Sequence, residues 1–102
     1  MKLNELAINA YNTALKREKN GAAINCNEIL KHAAGEVIEA AEARYYWVTQ
    51  NCDAKDDYAE ELADVIICAL IAAGRDKIDI EKAVNEKMRK NAQRAALEGD
   101  KL

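Results

Sequence analysis

Apolar residues recur at helical spacing along most of the chain, and four segments carry the pattern. The first runs from about Leu3 to Glu18, with Leu3, Leu6, Ala7, Ala10, Ala14 and Leu15 forming one stripe. Asn20-Gly21 is expected to end it, because both residues tolerate a left-handed backbone. Asn25 reads as an N-cap with Glu28 as its capping-box partner, and the second segment then continues to about Gln50. Asn51 to Lys55 make a polar connection. The third segment starts near Asp56 and is expected to stop at Gly74, read as the left-handed residue after the helix. Asp79 reads as the N-cap of a fourth segment reaching about Leu97, and the tail from Glu98 to Leu102 is expected to fray. There is no strand-like alternation and no internal repeat. The pattern predicts an all-α, four-helix bundle-type domain spanning residues 1–102, with its core over about residues 3–97.

Composition sharpens this picture. Proline is absent and only four glycines occur, which removes the main helix breakers. Apolar residues make up 50% of the chain and charged residues 32%, a globular mixture and not a disordered one. Phe is absent, alanine is abundant, and a domain this small buries only about two-thirds of its unfolded surface. The thin core predicts a homodimer or homotetramer. A net charge of −3 provides no footprint for nucleic acid. The amphipathic start is too polar for a signal peptide, and no apolar run reaches the roughly 20 residues that span a membrane. Cys26, Cys52 and Cys68 lack metal-binding spacing and read as free thiols of a reducing, cytoplasmic compartment.

Charge placement adds candidate chemistry. Glu36 and Glu39 lie three apart on the second helix, and Glu61 and Asp64 lie three apart on the third. That spacing puts each pair on one helix face, about 60° apart. Beyond Asp64 the third helix is apolar nearly all round, which predicts a central, buried helix. An unpaired carboxylate there would be costly, and a divalent cation would relieve both burial and like-charge repulsion. Four carboxylates make an all-oxygen cage suited to Mg²⁺ or Mn²⁺ and not to zinc. The alternatives are solvated surface acids or acids paired with Lys and Arg. A di-iron bundle needs Glu-x-x-His on two helices, and His32, the one histidine, has Ile29 three residues before it.

The ordered set Glu36-x-x-Glu39, a 21-residue spacer, and Glu61-x-x-Asp64 resembles the signature of the MazG-like all-α nucleoside triphosphate pyrophosphohydrolases. Glu60-Glu61-Leu62-Ala63-Asp64-Val65-Ile66 and Ile78-Asp79-Ile80-Glu81-Lys82-Ala83-Val84 look like further family stretches, as does the trio Lys87, Asn91 and Arg94. The similarity covers about Lys31 to Arg94. Many members carry two acids where this chain has His32 and Ala33, so Glu39 with Glu42 is an alternative first pair. The resemblance implies hydrolysis of a (d)NTP to (d)NMP and pyrophosphate by metal-activated water. Mg²⁺ would be held by Glu36, Glu39, Glu61 and Asp64, with Glu39 accepting the proton. Lys87, Asn91 and Arg94 would bind the triphosphate, because they continue the Ile80–Val84 stripe where a structural helix would be apolar. The plainer account of those cations is a protruding helix end that complements its own dipole.

Three functions compete. A house-cleaning nucleotide pyrophosphohydrolase fits the motifs best. Phosphoribosyl-ATP pyrophosphohydrolase shares the fold, but typically has Tyr-His after the third-helix acids, where this chain has Val65-Ile66-Ile67-Cys68. A non-catalytic helical assembly module is the third. His32 reads first as a hydrogen-bonded structural residue, Tyr45-Tyr46-Trp47 as core or interface packing, and Asn9 and Asn12 as helix surface.

Overall fold

The computed structural model describes residues 2–18 and 24–98. Four helices account for nearly all of it: α1 (Leu3–Arg17), α2 (Cys26–Thr49), α3 (Lys55–Arg75) and α4 (Ile80–Glu98). No strand occurs among the described residues, and the chain is all-α as its periodicity predicts. The stop expected at Asn20-Gly21 and the fraying expected over residues 99–102 lie outside the described residues.

Two of the expected caps form. The Asn25 side chain accepts the Glu28 backbone N–H at 3.2 Å, which satisfies one orphan donor at the start of α2. Asp79 Oδ1 accepts the Lys82 N–H at 3.1 Å and the Asn4 side-chain N–H at 3.0 Å. The Asn4 bond and then the Lys82 bond hold the Asp79 carboxyl below its ordinary value. Asn4 and Glu81 cap each other's helices reciprocally: the Asn4 N–H donates to Glu81 Oε1 and the Glu81 N–H to Asn4 Oδ1, both at 3.2 Å. Because these bonds join residues 75 or more apart in sequence, they clip the start of α4 to the start of α1.

The stop expected at Gly74 falls elsewhere. Helix α3 continues to Arg75, and the left-handed residue is Lys77, at φ 57°. The Ile78 N–H reaches back to the Ala73 carbonyl at 3.0 Å, closing a Schellman-type turn. Gly74 serves packing. A Cβ at that position would overlap the Ala7 carbonyl and lie 2.8 Å from Tyr11 Cβ, so α1 crosses α3 where a side chain is missing. Ala7, Leu70 and Ala73 form the core at this crossing, with Leu6, Ala10 and Ile80 packed around them. Gly74→Ala is therefore expected to lower unfolding free energy by about 1–3 kcal/mol, because backbone blocks the new methyl. Urea denaturation measures this; an unchanged midpoint would mean that the two helices separate freely.

Helix α3 is central, but it is not buried all round. It packs along α2 on one side and α1 on another, while α4 touches α1 over a short stretch. Its third face stays open, leaving Leu62 and Ile66 exposed, while Asp64 is exposed on the other side, at the cavity between α1, α2 and α3. This corrects the expectation of a fully buried third helix: four helices are present, but the fourth does not close over it. The radius of gyration is 16.4 Å, against about 13 Å for a compact domain of this length. The accessible surface is 8059 Å², against about 5,700 Å² for a compact monomer of this mass.

Candidate metal centre

Helices α2 and α3 are joined by a short connection and run antiparallel. Cys26 Sγ lies 3.9 Å from the Ala72 carbonyl at one end, and Trp47 stacks on Tyr58 at the other, with ring centroids 5.7 Å apart. Between these ends the two acidic pairs meet. Carboxylate oxygens of Glu36, Glu39 and Glu61 all lie within 4.8 Å of one another. Glu42 is outside this group and exposed. Asp64, one turn beyond Glu61, is also outside it, but lines the adjoining cavity with Glu36.

Among the described residues, the buried side-chain polar atoms without a partner belong to Glu36 and Glu61, at Oε2 of each. The costly burial expected at Asp64 falls instead on the two acids caught between α2 and α3, because Asp64 borders the open cavity. Burial, then the charges of Glu39, Glu36 and Asp64, push the Glu61 carboxyl above its ordinary value. Among the described residues no Lys or Arg pairs with Glu36, Glu39, Glu61 or Asp64. Partnerless, shielded oxygens on converging carboxylates are donors that a hard divalent cation would satisfy, so these residues fit Mg²⁺ or Mn²⁺.

Next to the carboxylates is a cavity of ≈ 500 Å³ between the end of α1, the first half of α2 and the middle of α3. Ile29, Ile67 and Ile71 form its apolar wall, and Arg17, His32 and Asp64 are among its polar lining. Cys68 is buried in this wall; burial, then Glu36 and Asp64, push its thiol up, so it stays protonated. Arg17 at this cavity is not legible in the sequence, because no spacing relates the last turn of α1 to Glu36.

Other candidates fall as follows. His32 Nε2 lies 2.9 Å from Glu36 Oε1, within hydrogen-bonding distance. Tyr45 and Tyr46 are exposed, while Trp47 is half-buried under Tyr58 and Lys55. Asn12 is exposed, and Asn9 lines a second, mainly apolar cavity of ≈ 300 Å³ with Leu6 and Leu70. Lys87, Asn91 and Arg94 are exposed on α4 and contribute nothing to the cavity lining or the carboxylate group. Within one chain they are not brought to the acids, because the clip at Asn4 ties α4 to the far end of α1.

A family model, the MazG nucleotide pyrophosphohydrolase domain, matches residues 25–96, which take in α2, α3 and nearly all of α4. No curated protein and no solved structure gives a significant match.

Proposed function

Because the chain belongs to the MazG nucleotide pyrophosphohydrolase family, we propose that it hydrolyses a (d)NTP to (d)NMP and pyrophosphate with Mg²⁺, or Mn²⁺, as cofactor. The observation that carries this reading is the pair of shielded, partnerless oxygens on Glu36 and Glu61 beside a cavity large enough for a nucleoside. Glu36, Glu39, Glu61 and Asp64 would hold the cation. Bound there, it would supply the positive charge that draws a triphosphate towards carboxylates and makes an attacking water more acidic.

The chain's own groups divide the remaining work. Glu39 is the exposed member of the carboxylate group, which suits it to accept the attacking water's proton. Ile29, Ile67 and Ile71 exclude water from one side of the bound nucleotide. Lys87, Asn91 and Arg94 bind phosphate oxygens, and α4 must then reach the acids of another copy. A homo-oligomer supplies that copy. The chain exposes roughly 2,300 Å² more than a compact monomer of its mass, well above the about 800 Å² per partner of a standard interface. Val37, Ile38, Leu62 and Ile66 lie exposed on α2 and α3, where such an interface would form. No described helix is long and apolar enough to cross a membrane, and free thiols suit a cytoplasmic setting.

Incubation with a panel of nucleoside and deoxynucleoside triphosphates and Mg²⁺ tests the reaction. Pyrophosphate should appear with the monophosphate from at least one of them. Orthophosphate as the sole primary product would overturn the proposal, and turnover of phosphoribosyl-ATP alone would favour the sister activity.

A further inference from the structure

His32 stands one turn before Glu36 on α2, at a position where many family members carry an acid. Its ring is 67% exposed, yet its Nε2 is 2.9 Å from Oε1 of a carboxylate that is only 12% exposed. A carboxylate accepts and cannot donate when ionised, so the imidazole is the donor, and the neutral tautomer suffices. The bond thus reaches inward from the surface and holds a buried group.

Glu36 has reason to leave. Glu61 and Glu39 are close by with the same charge, and three side-chain torsions give Glu36 a route to water. The bond from His32 occupies Oε1 and leaves Oε2 shielded and without a partner. One oxygen is tethered and the other is free for a ligand. Metal sites use outer hydrogen bonds in this way to fix the orientation of the ligating group. Glu39, which is exposed, has no such tether from a neighbouring turn among the described residues.

We infer that His32 is a positioning residue that holds Glu36 in its cation-binding rotamer through the Nε2–Oε1 hydrogen bond. This rests on the reading of Glu36 as a metal ligand. An isolated surface pair of this spacing would contribute only a few tenths of a kcal/mol to helix stability. The effect of His32 is instead exerted on where a buried carboxylate points, and it is read in cation affinity.

The test is Mn²⁺ binding without nucleotide, followed by electron paramagnetic resonance of the free ion, on wild type, Glu36→Gln, His32→Leu and His32→Gln. His32→Leu removes the donor and should weaken Mn²⁺ binding about 10- to 100-fold. His32→Gln places an amide N–H near the position of Nε2 and should stay within about threefold of wild type, since the same hydrogen bond can form. Circular dichroism in EDTA checks that each variant is folded. In turnover, His32→Leu should need correspondingly more Mg²⁺ for half-maximal rate while approaching the wild-type kcat at saturation. Equal Mn²⁺ affinity of wild type and His32→Leu, with Glu36→Gln weakened, overturns the role of His32 alone. So does a loss in His32→Gln as large as in His32→Leu. If wild type binds no Mn²⁺, or Glu36→Gln binds as well as wild type, the metal reading of Glu36 fails and the inference goes with it.

Discussion

Glu61→Gln should abolish nucleotide hydrolysis and make the metal-free protein more stable. Its shielded carboxylate faces Glu36 and Glu39, and among the described residues no cation is in contact with it, so ionisation at this position opposes folding. The folded-state pKa is raised above the ordinary 4.5. Between pH 4.5 and that raised value, the folded state therefore binds more protons than the unfolded state. Metal-free stability falls as pH rises through this window, and the penalty is complete above it. The amide has no charge to lose, so the gap between Glu61→Gln and wild type in EDTA should be near zero below pH 4.5 and widen upward. Mg²⁺ should reverse the order. Wild type gains about 2.7 kcal/mol at a hundredfold excess over its dissociation constant, and the variant gains far less. Activity should fall at least about a hundredfold, since the cation loses a ligand that helps charge the reaction centre. Thermal melts in EDTA and in Mg²⁺ across pH, with a pyrophosphate assay, measure all of this. A variant that melts below wild type in EDTA at neutral pH would make Glu61 a structural partner and remove the cage from the argument.

Lys87→Ala should lower kcat/KM about ten- to a hundredfold, the loss of one charge-assisted bond of about 1.5–3 kcal/mol to phosphate. Cation binding and helix content should not change, because Lys87 is exposed and outside the carboxylate group. Arg89→Ala should do little, as Arg89 lies off the Ile80–Val84 phase. The structure adds a sharper form of this prediction. If α4 acts on another copy's acids, Lys87→Ala and Glu61→Gln damage opposite halves of each composite site. Mixing the two weak variants and allowing exchange then creates hybrid dimers in which one site carries both defects and the other none. With random pairing, half the dimers are hybrid and half their sites intact, so activity should recover to about a quarter of wild type. No recovery, or a solution mass at micromolar concentration equal to the 11.3 kDa monomer, would mean that α4 does not work across an interface. Equal losses from Arg89→Ala and Lys87→Ala would reduce its role to general positive charge.

Much of this protein is determined locally, and the sequence alone carries that part. Helix existence follows from 3.6-residue periodicity in a chain without proline, and the starts of α2 and α4 follow from Asn25 and Asp79, whose short side chains cap the nearest N–H groups. The pairing of Glu36 with Glu39 and of Glu61 with Asp64 on helix faces is likewise a matter of spacing. The tertiary structure decided the rest, because it depends on which faces meet. Gly74 looked like a helix stop and is a crossing point, since only α1 passing over it gives its missing Cβ a purpose. Lys77 takes the left-handed turn instead, in a Schellman geometry closed by the Ile78 N–H on the Ala73 carbonyl. Asp64 looked buried because its neighbours are apolar, but an apolar surround in sequence does not say whether another helix arrives to cover it. Here α1 and α2 leave a cavity beside it, and the shielded oxygens are those of Glu36 and Glu61. Arg17 at the cavity and Asn4 at the root of α4 were invisible for the same reason: their partners lie many residues away, and long-range contacts leave no periodic trace in the chain.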